Sequence, residues 1–152
     1  MTGSTEPAAG RIVVGVDGTA GSLGAVRWAV REALLRQASV HLVFVSRHYE
    51  RASYSGSPVV SPPGEDHADG RALLAAAELE AGRALPPGRL SSELAAGSPA
   101  KVLIDRSAGA GLLVLGNAYP PGHSASEVPA VMGTIARACL DGAACPVVVV
   151  GA

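Results

Sequence analysis

The sequence predicts an α/β domain in which a single doubly wound sheet of five parallel strands carries helices on both faces. Two observations lead there. Short apolar runs, without the strict alternation of half-exposed strands, recur along the chain, and amphipathic helical stretches separate them in a regular β-α-β order. A chain of 152 residues is ordinarily one domain, able to bury about 68–70% of its unfolded surface. The expected organisation is a disordered tail over residues 1–10 and one domain over 11–152.

Arg11-Ile12-Val13-Val14-Gly15-Val16-Asp17 reads as the first buried strand. A helix follows from about Ser22 to Gln37, with Leu23, Val26, Val30, Ala33 and Leu34 on one stripe and Arg27, Arg31 and Arg36 off it. Val40–Val45 is the second strand. Residues 47–64 form a long Ser/Pro/Gly-rich loop, a length that is uncommon unless functional or disordered. Asp66 and Asp69 favour a helix N-terminus, and that helix runs to about Leu85, where Pro86-Pro87-Gly88 stops it.

Leu90–Leu94 is the least apolar strand and therefore a sheet-edge candidate. Ser98-Pro99 supplies an N-cap and a first-position proline for a third helix through about Ser107. Leu112–Leu115 is a strand, Thr134 to about Leu140 a helix, and Val147–Val150 the last strand.

Composition removes several function classes. The formal net charge is −1 and its charges are dispersed, so nothing favours nucleic acid. Cys139 and Cys145 make neither a disulfide framework nor a metal-ligand spacing. The N-terminus lacks the basic and apolar regions of a signal peptide, and no apolar run approaches the ~20 residues that cross a bilayer. A cytoplasmic protein, with no membrane partner, is expected.

An apolar strand ending in a glycine, and a later glycine with a hydroxyl residue opening a helix, suit close backbone approach to an anion. Leu112–Gly116 followed by Gly133-Thr134 has that form. Taken with Val14-Gly15-Val16-Asp17-Gly18, Ser22 and Ala29 at one end and Cys145-Pro146-Val147-Val148-Val149-Val150 at the other, it resembles the universal stress protein family. That family lies in the adenine-nucleotide α-hydrolase-like superfamily, and the resemblance covers essentially everything after the tail. It implies the strand order 3-2-1-4-5, frequent dimers, and ATP binding, with its magnesium, in some members but not others.

ATP-binding members carry a loop resembling G-x2-G-x9-G-S/T. Gly116 matches its first glycine and Gly133-Thr134 its end. Tyr119 stands where the middle glycine belongs, with Pro120 and Pro121 behind it. Gly116 and Gly133 are 17 residues apart where the motif has 13, an insertion of four. Gly122 can serve as the middle glycine, leaving ten residues before Gly133 instead of nine. Tyr119 adopts φ > 0 only at a cost, and the two prolines remove amide donors that a phosphate could use. Hydrogen bonds to a charged group contribute roughly 1.5–3 kcal/mol each, so two lost donors weaken binding a hundredfold or more.

The resemblance also places residues. Gly15, Asp17, Gly116, Gly122, Gly133 and Thr134 fall on the family's nucleotide contacts, and Val45, Leu115 and Ile135 on its adenine pocket. Asp17 would accept hydrogen bonds from ribose or adenine; from the residues alone, Asp17-Gly18 is also an ordinary turn capping the next helix. The three apolar residues are otherwise plain core.

Other motifs carry less. Ser98-Pro99-Ala100-Lys101 has an S-x-x-K spacing but no partner motif, and a helix cap explains it. His41, His48, His67 and His123 show no ligand spacing. No G-K-[ST] pair exists, which excludes a P-loop.

Two function classes stay open. One is a stress-response regulatory protein that binds ATP, without turnover or with slow hydrolysis. The other is a ligand-free member acting through protein contacts, its loop remodelled by Tyr119–Gly122. No nucleophile–base pair supports a conventional enzyme. In the implied strand order Val147–Val150 is an edge, uncharged and without lysine or proline, which predicts a homodimer through that strand.

Overall fold

The computed structural model describes residues 10–18, 20–46, 65–117 and 133–151. Five strands form one parallel sheet: β1 (Arg11–Val16), β2 (Ser39–Ser46), β3 (Leu90–Ala96), β4 (Leu112–Gly116) and β5 (Val147–Val150). Among the described residues four helices alternate with them: α1 (Ala20–Arg36), α2 (Glu65–Gly82), α3 (Pro99–Ser107) and α4 (Thr134–Gly142). The spatial order is β3-β2-β1-β4-β5. Val14 of β1 lies opposite Leu42 of β2 and Val114 of β4, so β1 is the centre of the sheet.

Alternate side chains leave a strand on opposite faces, and here both faces are apolar. Ile12, Val14 and Val16 enter one core with Val40, Leu42, Leu112 and Val114, covered by α1 and α2. Val13, Val43, Leu113 and Leu115 enter a second core with Leu103, Ala136 and Cys139 from α3 and α4. That two-sided burial explains the unbroken apolar runs. The edges are β3, as its composition suggested, and β5, whose four valines are all half-buried.

Local details depart from the sequence expectations in three places. The buried stripe of α1 is Ser22, Ala25, Val26, Ala29, Val30 and Ala33, while Leu34 is 44% exposed. Small residues let this helix lie close on the sheet, so bulk was the wrong guide to its inner face. Ser98 occupies the N-cap position of α3 without a side-chain capping bond; its carbonyl accepts the Val102 N–H at 3.0 Å. The second helix closes at Gly82, after which the N–H groups of Ala84 and Leu85 both turn back to the Ala81 carbonyl. Among the described residues no helix is long and apolar enough to cross a membrane.

Candidate functional site

In an open parallel sheet the strand order reverses where connections leave toward opposite sides, and the carboxyl ends of the two flanking strands part to leave a crevice. Here that point lies between β1 and β4. A cleft of about 210 Å³ opens there. Gly15, Val16 and Asp17 come from the end of β1, Val43 and Val45 from β2, and Leu115 and Gly116 from β4. Ser22 joins them from α1, Pro99 and Leu103 from α3, and Gly133, Thr134, Ile135 and Ala136 from the start of α4.

Eight of the nine residues singled out in the sequence therefore line one cleft; the ninth, Gly122, lies outside the described residues, as do Tyr119, Pro120 and Pro121. Six further residues of the lining were not singled out as site residues: Val16 and Ser22, which stand only in the motif that carries the resemblance, and Val43, Pro99, Leu103 and Ala136. Pro99 stood out only as a helix start, and Leu103 follows it by one helical turn, which is the signal that both face the same side.

The three glycines nearest the reversal do different jobs. A Cβ on Gly15 would lie 2.8 Å from Leu115 Cδ2 and 3.1 Å from Leu103 Cδ1, so its bareness keeps the floor of the cleft open. A Cβ on Gly116 would run into the Gly21 backbone and stand 2.6 Å from the Ser22 nitrogen. Gly116 is thus bare because α1 presses on the end of β4, a packing reason where the motif suggested ligand approach. Among the described residues nothing lies within 4 Å of a Cβ on Gly133, and its φ of −59° is ordinary. Of the two motif glycines, Gly133 is the one that no described residue crowds.

Polar groups gather at one end. The Asp17 N–H donates to Ser22 Oγ at 3.0 Å, and Gly18 turns the chain with φ +83°. The Gly133 N–H donates to Asn117 Oδ1 at 3.4 Å, a long bond that another acceptor could displace. Asp17 is the one titratable residue of the described lining. Neither α1 nor α4 has an acidic residue in its first turn, so both N-termini keep their partial positive charge.

A second polar cluster lies away from the cleft, toward the start of β2. His41 Nε2 donates to Glu93 Oε1 at 2.9 Å, and the Arg106 Nε donates to the same oxygen at 2.8 Å. His41 Nδ1 meets Ser91 Oγ at 2.7 Å. Burial pushes the Glu93 carboxyl up, but hydrogen bonds and charge from His41 and Arg106 outweigh it and hold the group below its usual range. Cys139 and Cys145 are free thiols, and burial first, then the neighbouring Cys145, pushes the Cys139 thiol up. No cluster among the described residues has the make-up of a metal site.

Fold and cleft together define a doubly wound α/β domain with a ligand-sized crevice at its switch point. The chain belongs to the universal stress protein family, whose family profile matches residues 9–151. It is 34% identical over 151 residues to a universal stress protein of Mycobacterium tuberculosis, an alignment that takes in 91% of this chain. The chain spans about half the length of the curated relatives it matches, 46%.

Solved structures share the fold, two of them described in complex with an adenine nucleotide. The universal stress protein from Archaeoglobus fulgidus in complex with dAMP superposes with a TM-score of 0.67 at 20% identity, covering 92% of this chain and 96% of that one. A universal stress protein in complex with cAMP gives 0.63 at 20% identity, covering 93% and 95%.

Proposed function

We propose that this chain is a stress-response regulatory protein that holds an adenine nucleotide at the carboxyl ends of β1 and β4. The observation that supports this most directly is convergence: residues from four separate βα units, singled out by the resemblance, meet around one cleft. Relatives of the same fold, described in complex with dAMP and cAMP, point the same way.

The two halves of the cleft suit the two halves of such a ligand. Val43, Val45, Leu103, Leu115 and Ile135 offer an apolar slot for a flat base. At 210 Å³ the slot is smaller than the about 300–1,000 Å³ of sites that enclose drug-sized ligands, so it takes the base and leaves the rest at the rim. There the Asp17 carboxylate accepts ribose hydroxyls, and the first phosphate meets the N-terminus of α4, where it competes with Asn117 for the Gly133 N–H. Asp17 is the carboxylate of the described lining, so any magnesium would come with the phosphates of a nucleotide. Only slow hydrolysis fits this lining, which pairs no base with a nucleophile among the described residues.

A second reading is favoured by Tyr119-Pro120-Pro121 and the four inserted residues: a ligand-free member acting through protein contacts. In either reading the working unit is a homodimer joined at β5. Nucleotide carried through purification, seen as excess absorbance at 260 nm and identified after denaturation, tests the choice. Absence of binding at millimolar AMP, cAMP and ATP would select the ligand-free reading.

A further inference from the structure

We infer that Ser91 is a nucleophile, activated by His41 and Glu93, that takes an acyl group from activated esters at the start of the β2–β3 pair. The inference stands apart from the nucleotide reading, since none of these residues lines the cleft.

Register builds the group. In the parallel β2–β3 pair His41 lies opposite Ser91, and Val43 opposite Glu93. Residues two apart leave a strand on one face, so Ser91 and Glu93 flank the imidazole from the same neighbouring strand. His41 Nδ1 is 2.7 Å from Ser91 Oγ, and His41 Nε2 is 2.9 Å from Glu93 Oε1. Val43, next inward on this face, is fully buried, and Arg106 of α3 meets the same Glu93 oxygen at 2.8 Å. The imidazole is held at the polar margin of the second core, its side chain 13% exposed, while Ser91 is open to solvent.

Charge fixes the proton. Against the pull of burial, hydrogen bonds from His41 and Arg106 hold the Glu93 carboxyl below its usual range, so it is ionised at neutral pH. An ionised carboxylate has no proton to give, and Nε2 must carry the hydrogen of that bond. A neutral imidazole then offers Nδ1 as an acceptor, and Ser91 Oγ donates to it. Nucleophile, base and orienting carboxylate stand within hydrogen-bond reach in that order, the arrangement that makes a serine hydroxyl reactive. Ser92 leaves β3 on the other face, where its hydroxyl donates to the Glu78 carboxylate instead. With 50 residues between His41 and Ser91, the sequence gave no sign of the pair.

The step is an acyl transfer. Ser91 Oγ bonds to the ester's carbonyl carbon while its proton passes to His41 Nδ1. The tetrahedral adduct expels the phenoxide, which leaves with the bonding pair and takes that proton as the free phenol. Glu93 stabilises the imidazolium between the two transfers. Exposure of Ser91 leaves the choice of donor to the lability of its leaving group, which favours phenyl esters over alkyl esters.

Treatment of the intact chain with p-nitrophenyl acetate, quenched in acid at short times and mapped by peptide mass spectrometry, tests this. Ser91 should be acetylated at least about tenfold faster than Ser92, below the 10²–10⁴-fold that a positioned base typically contributes. His41→Gln should slow Ser91 at least about tenfold and leave Ser92 unchanged. Glu93→Gln should slow it as well, since an amide can donate to Nε2 and move the imidazole proton to Nδ1. Circular dichroism checks the fold of both variants. A merely structural hydrogen-bond group would leave Ser91 as slow as Ser92. Equal acetylation of the two serines in the wild type, a comparison that needs no variant to fold, would overturn the inference, as would a folded His41→Gln chain that reacts like wild type.

Discussion

The side-chain carbonyl of Asn117 accepts the backbone N–H of Gly133 at 3.4 Å across 16 residues of sequence. Asn117 is itself fixed, because its own N–H donates to the Val150 carbonyl at 2.9 Å. The two ends of the inserted phosphate-loop segment are therefore held to each other and to the β4–β5 pair. Loop-closure entropy grows slowly with length, so four extra residues between clamped ends cost the fold little. Their effect falls on what the loop can hold.

Exchange of residues 118–132 for a shorter segment that restores the G-x2-G-x9-G spacing should raise ATP affinity at least about tenfold, by returning amide donors. Titration calorimetry reads the change, and unaltered far-UV circular dichroism confirms the fold. An unchanged affinity on an intact fold would clear the loop of blame.

Asp17→Ala should weaken adenosine by roughly 1.5–3 kcal/mol, the worth of hydrogen bonds to a carboxylate. Equal affinities for wild type and variant would remove Asp17 from the site.

The glycines of the motif should separate by stability. Gly116→Ala forces a methyl into the Gly21 backbone and should cost about 1–3 kcal/mol or more in urea unfolding. Gly133→Ala meets no described residue within 4 Å at a permissive φ and should cost under about 1 kcal/mol. A reversed ranking would contradict the packing account of Gly116.

Glu93 should give stability a particular acid limb. Its carboxyl sits below the usual range in the folded state, so its contribution is complete above the unfolded value near 4.3 and is lost as pH falls through the folded value. Glu93→Gln should cost roughly 1 kcal/mol at neutral pH, with the difference closing once the pH has fallen below the folded value. A gap that persists at that pH would mean the cost is steric.

The homodimer reading predicts roughly twice the monomer mass by sedimentation at micromolar concentration, since an unguarded edge such as β5 pairs readily. Val148→Lys with Val150→Lys should shift the population toward monomer, with circular dichroism confirming the fold. A wild type that sediments as monomer throughout would end the claim.

Much of the architecture was legible in the residues because two-sided burial leaves an unmistakable mark: Val13 and Val14 must both be apolar when each faces a separate core. Strand order came from the resemblance, since periodicity says nothing about neighbours. The inner face of α1 was misread because Ala25 and Ala29 carry little hydrophobic signal, yet closeness to the sheet demands such small residues. The base slot was only half visible. Val45 and Leu115 announce themselves at strand ends, whereas Leu103 becomes a wall only once α3 folds across β1.

The cleft draws its lining at once from β1, β2, β4 and the starts of three helices, so it forms only when they are docked together. Whatever occupies it binds the native state alone, and occupancy at a hundred times the dissociation constant adds about 2.7 kcal/mol to the free energy of unfolding. For a protein whose margin against unfolding is of order 5–15 kcal/mol, such a gain changes how long the chain survives proteolysis. Under the nucleotide reading, its lifetime would follow how much of that ligand surrounds it.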